Sequence, residues 1–403
     1  MGNIMINTSD YFEKLNTFSE NNAVYASENI YNNNGLLLMK KGLKLKSNII
    51  QKIKESKLSK PLDHLITFEE VLTKDDIFQS INEIIEKYPF IGEIFISNKK
   101  NSLLLAQCLE NYDMFPIIQQ KLTMLKDINP YYYEKSVFCA LFSIMIYQKN
   151  PTHFKHNINS VFFAAISNNL GALHISSDEL KKNEDAINII SYTFLKDVSN
   201  FPKASPIFIL QSLENYYGTG KPKKLPPEKI YLESQIIHIA NDYHDYLIEN
   251  QHNHFYQRIM VSYRYYSEIV SNSFIHLFKD KNHYSDKDFS EITTELVKEI
   301  PAIQQLFNQL RENYQDILKS TDATQKEQFL RIFENLIIFE RSSGIIHDAF
   351  YRWVNYVHDN KLLNANEEMQ STYYMLKNFK EQIHLLMSFS SDFTMKKSEN
   401  VAV

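Results

Sequence analysis

Histidine is the residue type in this chain best suited to metal or acid–base chemistry, and the spacing of its 13 copies decides how much of that chemistry is open. His153 and His156 fall in one helix-start segment, and His238, His244, His252 and His254 lie around a later helix. A transition-metal cluster needs its imidazole nitrogens on one face. His238 and His244, six residues apart, face different sides of a helix, and the two-residue step from His252 to His254 shares no face. No replacement metal cluster is expected from them. A second chemistry, anion binding, is offered by Gly218, Thr219, Gly220, Lys221 and Pro222, with Lys223 and Lys224 behind them. The lysines make a local basic patch that attracts phosphate, and a solvated turn explains them equally well. Cys108 and Cys139 have apolar surroundings and no CxxC spacing, which fits buried reduced thiols. No Gly-rich phosphate loop, G-x-S-x-G elbow or HExxH occurs.

The elements that must position these residues are helices. Eight glycines in 403 residues are few, and 27 phenylalanines and 25 tyrosines suit long packed helices better than a turn-rich sheet. A mainly α fold is expected, with length enough for two or three domains. The pattern suggests a small N-terminal α+β module over residues 1–128, a helical domain over 129–278, a C-terminal helical bundle over 279–395 and a flexible tail over 396–403. In the first region Asn34-Gly35 between short strand-like runs is a hairpin signal, followed by a short helix over 47–56. In the second, Phe138, Leu141, Phe142 and Met145 recur at helical spacing, as do Val161, Phe162, Ala165 and Ile166. The apolar runs 207–213 and 236–240 read as further buried helices, and Pro202, Pro206, Pro222, Pro226 and Pro227 punctuate the loops. In the third, Ile300, Ile303, Phe307, Leu310, Tyr314 and Ile317 form a seam. Phe329, Ile332, Phe333, Leu336 and Ile337, then Phe350, Trp353, Val354 and Val357, then Leu376, Phe379, Ile383 and Leu386 form three more stripes. Four such stripes close one bundle within the chain, or the seam finds its match in a homodimer.

Two motifs in the central region sharpen this. The first is Ala164-Ala165-Ile166-Ser167-Asn168-Asn169-Leu170-Gly171-Ala172, followed by Ile175-Ser176-Ser177-Asp178-Glu179-Leu180. The second, from Glu214 to Pro222, reads E-N-Y-Y-G-T-G-K-P and leads to the helix start Gln235-Ile236-Ile237-His238-Ile239-Ala240-Asn241-Asp242. Together they resemble HD-GYP phosphodiesterases, whose corresponding segments run A-A-L-L-H-D-I-G-K and G-x-G-Y-P, with a helix I-x-x-x-A-D. The resemblance covers roughly residues 130 to 270. It puts Asn168 and Asn169 at the metal-binding His-Asp pair, Ala172 at the lysine, Thr193 near the next histidine, Ser212 and Leu213 at the histidine pair and Asn241 at the last aspartate. Tyr133 stands for the histidine that opens the first helix.

The resemblance implies an HD-GYP-like helical domain. It also implies lost chemistry, because metal-assisted phosphodiester hydrolysis needs imidazoles and carboxylates that neutral Asn, Ser and Leu do not supply. Among the aligned residues Glu214 alone keeps a metal-binding side chain. A catalytically inactive signalling protein of bacteria is expected, without metal or other cofactor, acting as a scaffold or regulator through a protein partner or a homodimer. One alternative is a non-hydrolysing receptor for cyclic di-GMP or a related nucleotide, with contacts at Gly218, Gly220, Lys221 and Pro222. The other is a metal-dependent cyclic di-GMP phosphodiesterase with a rebuilt site, in which His244 and Asp245 beside Asn241 make good the lost aspartate.

Charge and hydropathy narrow the partners. A formal net charge of -5 gives no general attraction to a nucleic-acid polymer. Residues 1–20 are polar and the most apolar internal run, 137–147, is too short to cross a bilayer, so a cytoplasmic protein without membrane insertion is expected.

Overall fold

Apolar residues at helical spacing form helices through most of the described residues, 8–176, 185–249, 251–279 and 288–389, in a computed structural model whose strands are few and short. The fold is mainly α. Residues 177–180 of the first motif and the tail 396–403 lie outside the described residues. Among the described residues no helix is long and apolar enough to cross a membrane. The chain gathers into two compact units, one of Met1–Leu213 with Tyr231–His244, the other of Glu214–Ile230 with Asp245–Val403.

The first unit begins with α1 (Thr8–Asn21) and two small antiparallel pairs. In these, β1 (Val24–Ala26) pairs with β4 (Ile66–Phe68), and β2 (Ile30–Tyr31) pairs with β3 (Leu37–Met39) across the Asn34-Gly35 turn. Between β3 and β4 lie α2 (Ser47–Lys54) and a 3₁₀ turn, Leu62–His64. The helices α3 (Lys74–Lys87), α4 (Pro89–Ser97), α5 (Lys99–Glu110) and α6 (Pro116–Ile128) follow. A Thr73–Asp76 capping box starts α3, and prolines start α4 and α6, where the missing N–H costs nothing.

The centre of this unit is α7 (Pro130–Lys149), whose residues from Ser136 to Ile146 are buried without interruption. A helix apolar on all sides must be surrounded. It packs against α3, α5, α6 and α8 (Ile158–Ser167), and α8 in turn is buried over eight residues. A 3₁₀ turn, Leu170–His174, α9 (Asp185–Leu195) and α10 (Ser205–Leu210) complete the segment. The helix expected over 207–213 ends at Leu210, because the Ser212 hydroxyl turns back to the Ile209 carbonyl and terminates it. Residues 231–244, which include most of α11 (Leu232–Ile248), then add Ile236, Ile237, Ile239, Ala240 and Tyr243, all fully buried. Tyr243 lies against Phe138 and Phe142 at ring distances of 6.0 and 5.0 Å.

The second unit contains α12 (His252–Val261), α13 (Glu268–Phe278), α14 (Phe289–Glu312), α15 (Tyr314–Ser320), α16 (Ala323–Ser343), α17 (Asp348–Asn360) and α18 (Asn366–Met387). One core joins Ile292, Leu296, Ile300, Ile303, Phe307 and Leu310 of α14 to buried faces of α16, α17 and α18. The seam from Ile300 to Ile317 is not one helix. It breaks at Asn313, whose amide bonds back to the Gln309 carbonyl at 2.7 Å. Within the α17 stripe Val354 and Val357 are buried, whereas Trp353 is 37% exposed.

Candidate functional site

The positions that the resemblance sets at a metal site, Leu213 apart, take part in hydrogen bonds within their own unit. Asn168, at the end of α8, donates to the Ala165 carbonyl at 2.5 Å, and its own carbonyl accepts the Ser191 hydroxyl of α9 at 2.9 Å. The same hydroxyl accepts the Gly171 N–H at 2.7 Å. Gly171 is glycine because of that approach: a Cβ there would meet the Ile187 carbonyl oxygen at 2.2 Å. Asn169 donates to Ser136 of α7 at 3.2 Å, and Asn188 donates to Ser212 at 2.8 Å. Asn241 donates to the Ile237 carbonyl at 3.0 Å and accepts the Cys139 thiol at 3.3 Å. Leu213 is half-buried and offers no polar atom. No hydrogen bond links any two of these five positions. Among the described residues no group of three or more His, Cys, Asp and Glu is placed to hold a metal.

Other residues that the sequence singled out are engaged elsewhere. Tyr133 shares a hydrogen bond with Ser80 of α3 at 2.9 Å, and burial pushes its phenol up to about 12. Thr193 donates to the Ile189 carbonyl one turn back. His244 is buried against Phe138 and lies 3.7 Å from the Glu134 carboxylate, which the histidine and Lys87 together hold at about 2. His156 lies 3.0 Å from Glu233 through Nδ1, tying it to the first turn of α11.

The G-T-G-K-P loop belongs to the second unit. Amides in its first half and just after it are engaged by the residues that precede it. The Glu214 carboxylate accepts Lys223 N–H at 2.7 Å and Leu225 N–H at 2.9 Å, and the Asn215 side chain accepts Thr219 N–H at 3.1 Å. Gly218 has φ of +75°, which favours glycine, and its carbonyl accepts Gln328 of α16. Gly220 is buried, the Lys221–Pro222 peptide is cis, and Lys221, Lys223 and Lys224 are exposed.

A different cluster in the first unit carries more electrostatic weight. Lys121 of α6, 3% exposed, donates to Asp63 at 2.6 Å and to Nε2 of His174 at 3.2 Å. The Tyr11 ring stacks on His174 at 4.5 Å and 10°, and the Lys121 ammonium sits 3.8 Å from the Tyr11 ring centre. Burial opposes ionisation of Asp63, but the charge and hydrogen bond of Lys121 overcome it and hold the carboxyl below its ordinary value. Burial, aided by Lys121, depresses His174 to about 3, so the imidazole is neutral. An ammonium only donates, so Nε2 accepts and the ring proton rests on Nδ1, which is buried without a hydrogen-bond partner. Close by, Lys14 of α1 donates to the carbonyls of Ala172 and Ile175 at 2.6 and 2.5 Å.

A cavity of about 640 Å³ is lined by Tyr11, Asp63, His174, Thr193 and Phe194, a volume within the range of small-molecule sites. This cluster is absent from the sequence reading. The available signal was Lys121 itself, a charge on the face of α6 that also carries Ile118, Leu122 and Leu125, all fully buried. Its partners Asp63 and His174 lie 58 and 53 residues away, where no local pattern reveals them.

No family model matches the chain, and no curated protein or solved structure was found to be similar to it.

Proposed function

We propose that this is a catalytically inactive, HD-GYP-like protein of a bacterial signalling system, located in the cytoplasm and acting as a scaffold or regulator through a protein partner or a second copy of itself. The observation that carries this reading is the hydrogen bonding of Asn168, Asn169, Ser212 and Asn241, each of which spends polar atoms on neighbours within its own unit. Neutral amides and hydroxyls are poor replacements for imidazole and carboxylate ligands, even at Asn168, whose Oδ1 is buried without a hydrogen-bond partner. The resemblance of the two motifs supports the ancestry, and the loss of ligands supports the change of role. Metal analysis of the purified chain, paired with an assay for cyclic di-GMP cleavage, is expected to give substoichiometric metal and no linear dinucleotide. Stoichiometric iron or manganese with cleavage overturns the proposal in favour of a rebuilt phosphodiesterase. Affinity purification from the native organism with mass spectrometry then tests the positive half, where a reproducible partner is expected.

A second reading, a non-hydrolysing nucleotide receptor, is favoured by the exposed Lys221, Lys223 and Lys224. Glu214 counts against it, since its carboxylate already occupies two amides that a phosphate would use. Calorimetry with cyclic di-GMP decides between them: receptor binding gives heat that Lys221→Ala removes, whereas a scaffold gives none.

A further inference from the structure

The second unit has a cleft of about 700 Å³ whose lining includes residues of α12, α16, α17 and α18. Its chemistry differs from that of every other site described. The charged residues in its lining are Glu367 and Glu368, with no lysine or arginine. Phe350, Trp353 and Tyr374 contribute aromatic surface, the first two with ring centres 5.4 Å apart at 50°. Gln257 also lines the cleft; it is 9% exposed, and its Oε1 is buried without a hydrogen-bond partner.

Each feature taken singly has an ordinary explanation. Carboxylates in the first turn of α18 complement the helix dipole, and aromatic residues fill space between helices. The combination is not explained that way. A buried acceptor without a donor is costly, and a half-exposed tryptophan gains little from its place. A cation with an N–H donor and an apolar body answers all three: the carboxylates attract its charge, the ring faces hold it through their quadrupoles, and its N–H satisfies Gln257. We propose that this cleft binds an organic cation, a primary or secondary ammonium carried on an apolar or aromatic body.

The test uses Trp353, the single tryptophan of the chain, as its own reporter. Tryptophan fluorescence of the full chain is titrated with 2-phenylethylamine, with its trimethylammonium analogue and with 3-phenylpropionate. Saturable changes are expected with both cations, tighter for the primary amine, and none with the carboxylate. The double variant Glu367→Gln/Glu368→Gln is expected to weaken both cations by about tenfold, and Gln257→Leu to weaken the primary amine alone by about tenfold. Circular dichroism establishes that each variant folds. If Gln257→Leu does not, the preference of the unaltered chain for the primary amine over the trimethylammonium analogue tests the same contact. The proposal fails if neither cation gives a saturable change, if 3-phenylpropionate saturates equally well, if removing both acids leaves cation affinity unchanged, or if the trimethylammonium analogue binds the unaltered chain as tightly as the primary amine.

Discussion

The first unit buries polar side chains in two contrasting ways. Around Asn168, Ser212 and Asn241 the groups are neutral, and several of their bonds go to a carbonyl three or four residues back. Around Lys121 the groups are charged and titratable, and their partners come from α1, the Leu62–His64 turn and the Leu170–His174 turn. The difference is one of what is at stake. A neutral amide that loses its partner forfeits about 1–3 kcal/mol, whereas a buried ion stripped of its counter-ion forfeits about 3–5 kcal/mol. The motif region is therefore tolerant of drift, and the cluster is where the unit is vulnerable.

Removing one ion breaks the cluster hardest. Lys121→Ala is expected to cost about 3–5 kcal/mol in urea unfolding, because Asp63 is left buried without its counter-ion. Replacing both partners, as Lys121→Met with Asp63→Leu, is expected to recover most of that loss, since an apolar pair carries no desolvation cost. A double variant no more stable than Lys121→Ala would show that the cluster is packing rather than charge.

Acidification acts on the same cluster more gently. His174 titrates near 3 when folded against about 6.5 when free, so the unfolded chain binds more protons between those values. Its contribution is complete above about pH 6.5 and is lost as the pH falls toward 3, amounting to about 1–2 kcal/mol by pH 5. His254, depressed by burial to about 4, adds a slope of the same sign in the second unit. Thermal melts of His174→Phe between about pH 7 and 5 are expected to show a shallower slope than the unaltered chain.

The motif region is expected to respond least. Asn241→Ala removes the bond to the Ile237 carbonyl and the acceptor for Cys139, and about 1 kcal/mol of stability is expected to go with them. A loss above about 3 kcal/mol in Asn241→Ala would erase the contrast between the two regions.

Helices were legible in this sequence where a stripe or a boundary residue was local. Phe138, Leu141, Phe142 and Met145 recur at helical spacing, although the helix opens at Pro130 and not at Tyr133. Boundaries set by side chains were not legible. Ser212 stops α10 with its hydroxyl and Asn313 marks the break between α14 and α15, yet neither residue differs by type from many that lie inside helices. The motif positions were placed along the chain by the resemblance, but whether Asn168 holds a ligand or a carbonyl depends on where Ala165 and Ser191 come to rest. The Lys121 cluster was hidden for the same reason at greater range, since Tyr11, Asp63, Lys121 and His174 meet only after folding.

Residues 231–244 give the first unit an order of assembly. Ile236, Ile237, Ile239, Ala240 and Tyr243 are fully buried parts of that unit, yet they are synthesised after Glu214–Ile230, which belong to the second. The apolar faces of Phe138 and Phe142 that Tyr243 covers can therefore be closed only after the chain has been made past residue 243. A fragment cut at Leu213 lacks these five buried side chains and is expected to melt well below the full chain in circular dichroism.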